Sequence, residues 1–316
     1  MQKTNNEANP IKRDKPLGRF ARFRLSFKEH RALYLLMSPY MFLFFLFTIL
    51  PVIMSLFLSF TFFDLLQAPR FIGLQNYVNL FLHDEIFIVA IRNTLILALI
   101  TGPLSYLLAF LFAWLINELR PKVRWVMVLV FYAPSISGNA YFIWRIIFAS
   151  DMYGYANSIM LRFGFIDEPI LWLENPTYIL PILILVQLWL SLGVAFLAFI
   201  AGLQTVNPEL YEAGAVDGVR NRWQELWFIT LPQMKPMLMF GAVMQITQAL
   251  GVAVVPIAIA GLPSVEYAGH TIVTHLMDYG TIRFEMGYAS AIATILFVLM
   301  VGTNMVVQKI LRRVGT

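Results

Sequence analysis

The side chains through which this sequence can do chemistry are uncharged and sit where charge is scarce. Gln187 and Ser191 are four residues apart and Gln245 and Gln248 three apart, so each pair falls on one face of a helix. Tyr132, Ser135, Ser137 and Asn139 gather around Pro134. All lie within long apolar stretches. There, such groups either bridge to a neighbouring helix, at about 1 kcal/mol or less each, or line a path for a polar solute. Outside those stretches, Glu209 and Glu212 head a short segment with helix signals at both ends.

Other chemistry is missing. No lysine carries the preceding glycine of a G-x-x-x-x-G-K-[ST] phosphate loop, and only Lys3 is followed by Ser or Thr. The four histidines, His30, His83, His270 and His275, include no H-E-x-x-H pair, and a chain without cysteine has no thiolate metal site. There is no G-x-S-x-G nucleophile elbow. His270 and His275 read as loop polar residues rather than ligands. The sequence therefore predicts no catalytic residue, no metal and no cofactor bound by this chain: a non-enzyme.

The elements that must position the polar groups follow from composition. Of 316 residues, 59% are hydrophobic and 13% charged, too little polar surface to cover a soluble core of this size. An all-α polytopic membrane protein is predicted. Six stretches reach the roughly 20 apolar residues a bilayer core requires: 33–60, 94–116, 125–148, 179–201, 236–260 and 287–308. None contains Asp or Glu, and Arg145 is their only strong charge. Ion-coupled carriers usually place ionisable groups within their spans, so that class is disfavoured.

Charge placement orients the chain. With the N-terminus inside, the segments 1–32, 117–124, 202–235 and 309–316 hold eighteen of the twenty-three Lys and Arg. The positive-inside rule then predicts N-in, C-in. Residues 1–32 form a basic cytoplasmic tail, read as a topology signal rather than a nucleic-acid arm or a cleavable signal peptide, and 33–316 form one membrane domain. Trp114, Trp125, Trp172 and Tyr178 sit at span boundaries, where interfacial aromatic anchors belong.

The inner loop 202–235 is longer than topology requires. Asn207-Pro208-Glu209 supplies an N-cap, a proline at the first helical position and an acid at the positive end of the helix dipole. The helix runs to about 216 and breaks at Asp217-Gly218. Asn221 and Gln224 have capping-box spacing for a second helix, on which Trp223 and Trp227 share a face, and the loop closes on Leu231-Pro232. These residues fit equally a hairpin lying on the membrane surface and a rigid helix shaped to enter a groove on a partner.

Tyr211-Glu212-Ala213-Gly214-Ala215-Val216-Asp217-Gly218, followed by Ile229-Thr230-Leu231-Pro232, resembles the EAA loop of permease subunits in binding-protein-dependent ABC importers. Gly214 replaces the second alanine of that pattern, a change expected to weaken the first helix slightly. Further segments are similar to the sugar branch, in particular its maltose- and glycerol-phosphate-type first permease. They are Ser55–Phe60 with Phe71–Tyr77, Asn93-Thr94-Leu95, Trp172–Pro176 and Gly287–Ala291. The likeness runs from about residue 35 to the C-terminus.

The resemblance implies a type I importer permease in a bacterial cytoplasmic (inner) membrane. It would pair with a second, homologous permease, and an extracytoplasmic solute-binding protein would deliver an oligosaccharide or polysaccharide, neutral or acidic. Two ATPase subunits, which carry the ATP and Mg, would receive the loop. Glu209, Glu212, Ala213, Gly214, Asp217, Gly218, Leu231 and Pro232 become the coupling residues, with Glu212 meeting basic groups and Gly218 setting the turn. Counting from Glu212, the resemblance places Gln187, Ser191 and Gln248 among sugar-contacting positions, with Tyr132 and Ser135 aligned more loosely. Gln245 and Asn139 join the path by helical position and by nearness to Pro134. Val254 and Ala260-Gly261-Leu262-Pro263 depart from the sugar pattern, which leaves the substrate open. The competing readings are a self-sufficient carrier or channel and a non-sugar ABC permease.

Overall fold

A computed structural model describes residues 30–311. The basic tail up to residue 29, and Arg312 and Arg313, lie outside the described residues. The chain divides into two units, Met1–Met54 and Ser55–Thr316. An apolar helix, α1, spans Arg31–Leu58. It tolerates Pro39 and contains a π-turn over Phe45–Ile49.

After α1 comes a two-stranded hairpin, β1 (Thr61–Phe62) and β2 (Arg70–Phe71), in which Thr61 faces Phe71 and Phe62 faces Arg70. Helix α2 (Gln75–Leu82) follows, then α3 (Glu85–Asn117). At 33 residues, α3 is about 50 Å long, well beyond a bilayer core. It starts nine residues before the predicted span because the Asp84 carboxylate caps it, accepting from Phe87 N at 2.9 Å.

The third predicted span is interrupted. Helix α4 (Pro121–Ile136) ends two residues after Pro134, Gly138 turns the chain at φ +67°, and α5 (Phe142–Ile147) resumes. Pro134 withholds a backbone donor, and the Ser135 and Ser137 hydroxyls bond back to the carbonyls of Tyr132 and Pro134 beside it. Neither piece is long enough to cross alone. The described residues accordingly hold five helices of sufficient length and apolarity.

After α6 (Tyr155–Arg162), two further spans are each built from two helices. The fourth is α7 (Pro176–Leu190) and α8 (Val194–Thr205), broken at 191–193. Helices α9 (Pro208–Val216), α10 (Arg222–Glu225) and α11 (Leu231–Gln233) form the loop between these two spans. The fifth span is α12 (Lys235–Leu250) and α13 (Val254–Ala260), broken at 251–253. The short α14 (Ile272–Met277) precedes the last span, α15 (Met286–Leu311).

Small residues let the central helices approach. Ala109 and Ala113 of α3, and Phe196 and Phe199 of α8, are buried in one cluster with Met234 and Leu238. A β-carbon at Gly241 of α12 would collide with the Phe199 ring. Lipid tails give no hydrophobic drive for helix association, so close packing across small side chains supplies the cohesion.

Candidate functional site

The loop 202–235 folds as its caps dictate. Asn207 Oδ1 accepts from Glu209 N at 3.1 Å, Pro208 occupies the first turn, and Gly218 closes the helix at φ +95°, a left-handed conformation natural to glycine. Asn221 Oδ1 accepts from Gln224 N at 2.9 Å as the capping-box spacing predicts. The reciprocal bond is shifted by one residue: Gln224 Oε1 takes the amide of Arg220, at 2.8 Å. After α10 the chain widens into a π-turn over Leu226–Thr230.

Two contacts fuse the loop into one piece. The Tyr211 and Thr230 hydroxyls are 3.0 Å apart, joining α9 to the end of the π-turn. Gly214 faces Ile229, and a β-carbon there would come within 2.6 Å of Ile229 Cδ1. Sequence reasoning counts Gly214 as a small loss of helix propensity. The structure places Gly214 where two stretches of the same motif approach, against the flexible end of the Ile229 side chain.

The loop is also clamped to the end of α3. Arg222 bridges Glu118, 2.9 Å away, and Glu225, 2.8 Å away, while the Trp114 and Trp223 rings meet at 5.2 Å between centroids. Arg222 is more than half exposed, so its ion pairs contribute little energy and mainly fix orientation. On α9, Tyr211 and Gly214 face inward, whereas Glu209, Glu212, Ala213 and Val216 are exposed along one face. The result is a short rigid helix, tied to the longest transmembrane helix, with two carboxylates and an apolar residue turned outward.

The polar residues of the spans collect at the helix breaks. Gln245 is buried and donates from Nε2 to the carbonyl of Ser191 at 3.1 Å. Ser135 Oγ donates to Leu192 O at 3.2 Å. Ser191 turns its own hydroxyl back to Leu188 O, at 2.6 Å. Gly193 packs 3.5 Å from Gln248 Nε2 and 3.7 Å from Ser135 Cβ, measured from an added β-carbon. The breaks therefore bring Ser135, Ser191, Gln245 and Gln248 together. Gln245 and Ser191 are occupied in satisfying freed backbone groups, whereas Gln248 is exposed. Gln187 and Tyr132 are half-buried, and Asn139 is set apart, accepting from the Tyr141 hydroxyl at 3.0 Å.

At the opposite end of the spans the structure reveals a buried polar network that sequence reasoning missed. His275 is 1% exposed; its Nε2 donates to Asp84 Oδ2 at 3.0 Å, and its Nδ1 accepts from His270 Nε2 at 3.1 Å, a tautomer assignment that satisfies the chain. The Tyr288 hydroxyl donates to the same carboxylate at 2.9 Å. Burial raises the Asp84 pKa, but the bonds from His275 and from the Phe87 amide outweigh it and hold the group at about 2. Burial, reinforced by the neighbouring His275, pushes His270 down to about 4.

Three asparagines organise the loops around this network. Asn93 Nδ2 reaches the carbonyls of Tyr267, Ala268 and His270 at 3.0–3.2 Å. Asn157 is wholly buried and bonds Ala149, Asp151, Ile170 and the Trp172 indole. Asn76 donates to the carbonyls of Ser59 and Thr61, both at 2.9 Å. Thr271 links the network to the fifth-span break by donating to Val252 O at 2.8 Å. The five-residue spacing of the two histidines carries no signal for this cluster, because its other partner, Asp84, is 191 residues away.

No family model matches the sequence. Over 277 residues the chain is 35% identical to the probable ABC transporter permease protein YesP of Bacillus subtilis, across 86% of this chain and 88% of that protein. It is 30% identical over 295 residues to the arabinooligosaccharides transport system permease protein AraP of the same organism, across 90% of each. Among solved structures, it matches a chain of the bacterial alginate ABC transporter in complex with an alginate pentasaccharide-bound periplasmic protein. There the TM-score is 0.74 at 26% identity, over 93% of this chain and 99% of that one.

Proposed function

This chain belongs to the permease subunits of ABC transporters, and from that membership we propose that it forms half of the translocation path of an ATP-driven sugar importer. The observation that carries the mechanism is the outward face of α9, Glu209, Glu212, Ala213 and Val216, on a loop clamped to α3 by Arg222 and Trp223. A separate ATPase subunit, holding ATP and Mg, receives this helix. Its closure displaces α9 as a rigid body, and the clamp passes the displacement to the transmembrane helices. Gly218, Asp217, Leu231 and Pro232 fix the ends of the moving piece, and Gly214 lets its two stretches pack.

The remaining assembly follows the same reading. A second homologous permease completes the path and a second ATPase receives its loop. A solute-binding protein outside the membrane delivers the sugar to the face that carries Asp84 and His270. The broken segment α4–α5 makes the sixth crossing, and the distribution of Lys and Arg supports N-in, C-in in a bacterial inner membrane. Within the path, Gln248, Gln187, Tyr132 and Ser135 contact substrate; Gln245 and Ser191 hold the break that presents them. An oligosaccharide or polysaccharide is the cargo class, in keeping with arabinooligosaccharide transport by one relative and alginate transport by the structural neighbour.

The test is Glu212→Lys in the assembled transporter. Reversing this charge on an exposed helix leaves the chain folded and reduces ATPase association or sugar-coupled hydrolysis at least tenfold. Wild-type coupling in that variant overturns the assigned role of α9.

A further inference from the structure

Pro256 creates a need at the break of the fifth span. Proline has no backbone N–H, so in a continuous helix the carbonyl four residues earlier, that of Val252, would lack its partner. The chain instead leaves the helix at 251–253 and starts α13 at Val254. Val252 is only 6% exposed, and a buried carbonyl within a membrane bundle has to take its donor from a neighbouring element. That donor is the Thr271 hydroxyl, 2.8 Å away and 19 residues further along the chain. The hydroxyl has a second acceptor in Thr274 Oγ1, but at 3.4 Å, and that oxygen already accepts from Thr271 N at 2.7 Å.

Thr271 is itself held on all sides. It is 1% exposed and caps α14, accepting from Thr274 N at 3.2 Å. The next amide, Ile272 N, donates to Thr94 Oγ1 of α3 at 2.9 Å, and Thr94 gives its own proton to Ala90 O at 2.8 Å. Beside Thr94, Asn93 bonds the carbonyls of Tyr267, Ala268 and His270. The Val252 carbonyl is thus tied to α3, the helix whose other end is clamped to the loop 202–235 through Glu118 and Trp114. One helical turn before Val252, on the other side of the break, stands the exposed Gln248. We propose that Thr271 is a positioning residue: its hydroxyl replaces the donor that Pro256 withholds, fixes the fifth-span break against α3, and so sets where Gln248 points. Contact between Gln248 and substrate rests on the importer reading given above; the hold of Thr271 on the break does not.

The chain has no cysteine, which lets nitroxide labels report on the break directly. In the complex, with its other subunits freed of cysteine, two label pairs are measured by electron paramagnetic resonance. Gln248→Cys with Val254→Cys spans the break, and Gln248→Cys with Glu85→Cys refers it to the start of α3; all three positions are exposed. Thr271→Val keeps the shape and loses the donor, and it shifts or broadens both distances by about 3 Å or more, two residues of helical rise. Thr271→Ser keeps the donor and leaves both as in the wild type. Thr274→Val removes the reciprocal cap but not the bond to Val252, and changes neither. Pro256→Ala restores a backbone donor, so in that background Thr271→Val assembles and adds no further change. Unchanged distances in Thr271→Val overturn the proposal. An equal change in Thr274→Val overturns it as well, by assigning the effect to the cap of α14, and an undiminished effect of Thr271→Val in the Pro256→Ala background overturns the donor assignment. An unchanged KM for import in Gln248→Ala overturns the substrate role of Gln248 and leaves the hold of Thr271 standing.

Discussion

The hydroxyls of Tyr211 and Thr230 lie 3.0 Å apart, nineteen residues from each other in the chain and on opposite arms of the loop 202–235. Thr230 is buried and also donates to Glu225 O at 3.3 Å, so one side chain ties α9, α10 and the π-turn together. Tyr211→Phe removes that tie without changing shape. It costs about 1 kcal/mol of local stability, seen as faster hydrogen exchange at the α9 amides. ATP hydrolysis in the complex persists but responds less to substrate. Unchanged exchange would show that packing at Gly214 and Ile229 alone holds the loop.

Gln245 and Gln248 share one helix face but differ in consequence. Gln245 satisfies the Ser191 carbonyl inside the break. Gln245→Ala therefore lowers the thermal stability of the purified complex, by about 1–3 kcal/mol for the unsatisfied carbonyl, with little change in which sugars are imported. Gln248→Ala leaves stability alone and raises the KM for import severalfold. Reversal of these two patterns, in paired thermal and uptake measurements, would contradict the assignment.

Acid weakens the network around His275 in a definite order. His270 is depressed from 6.5 to about 4, so between those values the unfolded chain binds a proton that the folded one refuses. Stability is full above about pH 6.5 and falls by roughly 3 kcal/mol as pH drops to 4. Asp84 is lowered from 3.8 to about 2, so its stabilising effect is lost only between those two values. Thermal unfolding of the wild type from pH 7.5 to 4.5 tracks the first phase. His270→Gln, which keeps a donor for His275 but does not titrate, flattens it.

The fold of loop 202–235 is legible in the sequence because its signals are local. Asn207, Pro208, Gly218 and Asn221 act on backbone within four residues, and the apolar spans are similarly self-contained. The breaks were not legible, since hydropathy averages over them: 125–148 reads as one span although Pro134 and Gly138 divide it. Asn93, Asn157 and the Asp84–His275 pair escaped for a different reason. Their partners are set by tertiary contact, and a polar residue at a span end looks the same whether it is solvated or buried. Among the polar residues of the spans, helical spacing places Gln245 and Gln248 on one face. Which of them holds the break and which remains exposed depends on the neighbouring helix.

On this proposal the chain works as one subunit of an ATP-driven assembly. Affinity purification of the full chain from its native membrane, in a detergent that preserves related complexes, with mass spectrometry of the bound proteins, tests it most directly. The account predicts recovery of a second multi-span permease together with an ATPase carrying a phosphate-binding loop, and loss of the ATPase alone on Glu212→Lys. Recovery of this chain by itself, or only with copies of itself, would contradict it.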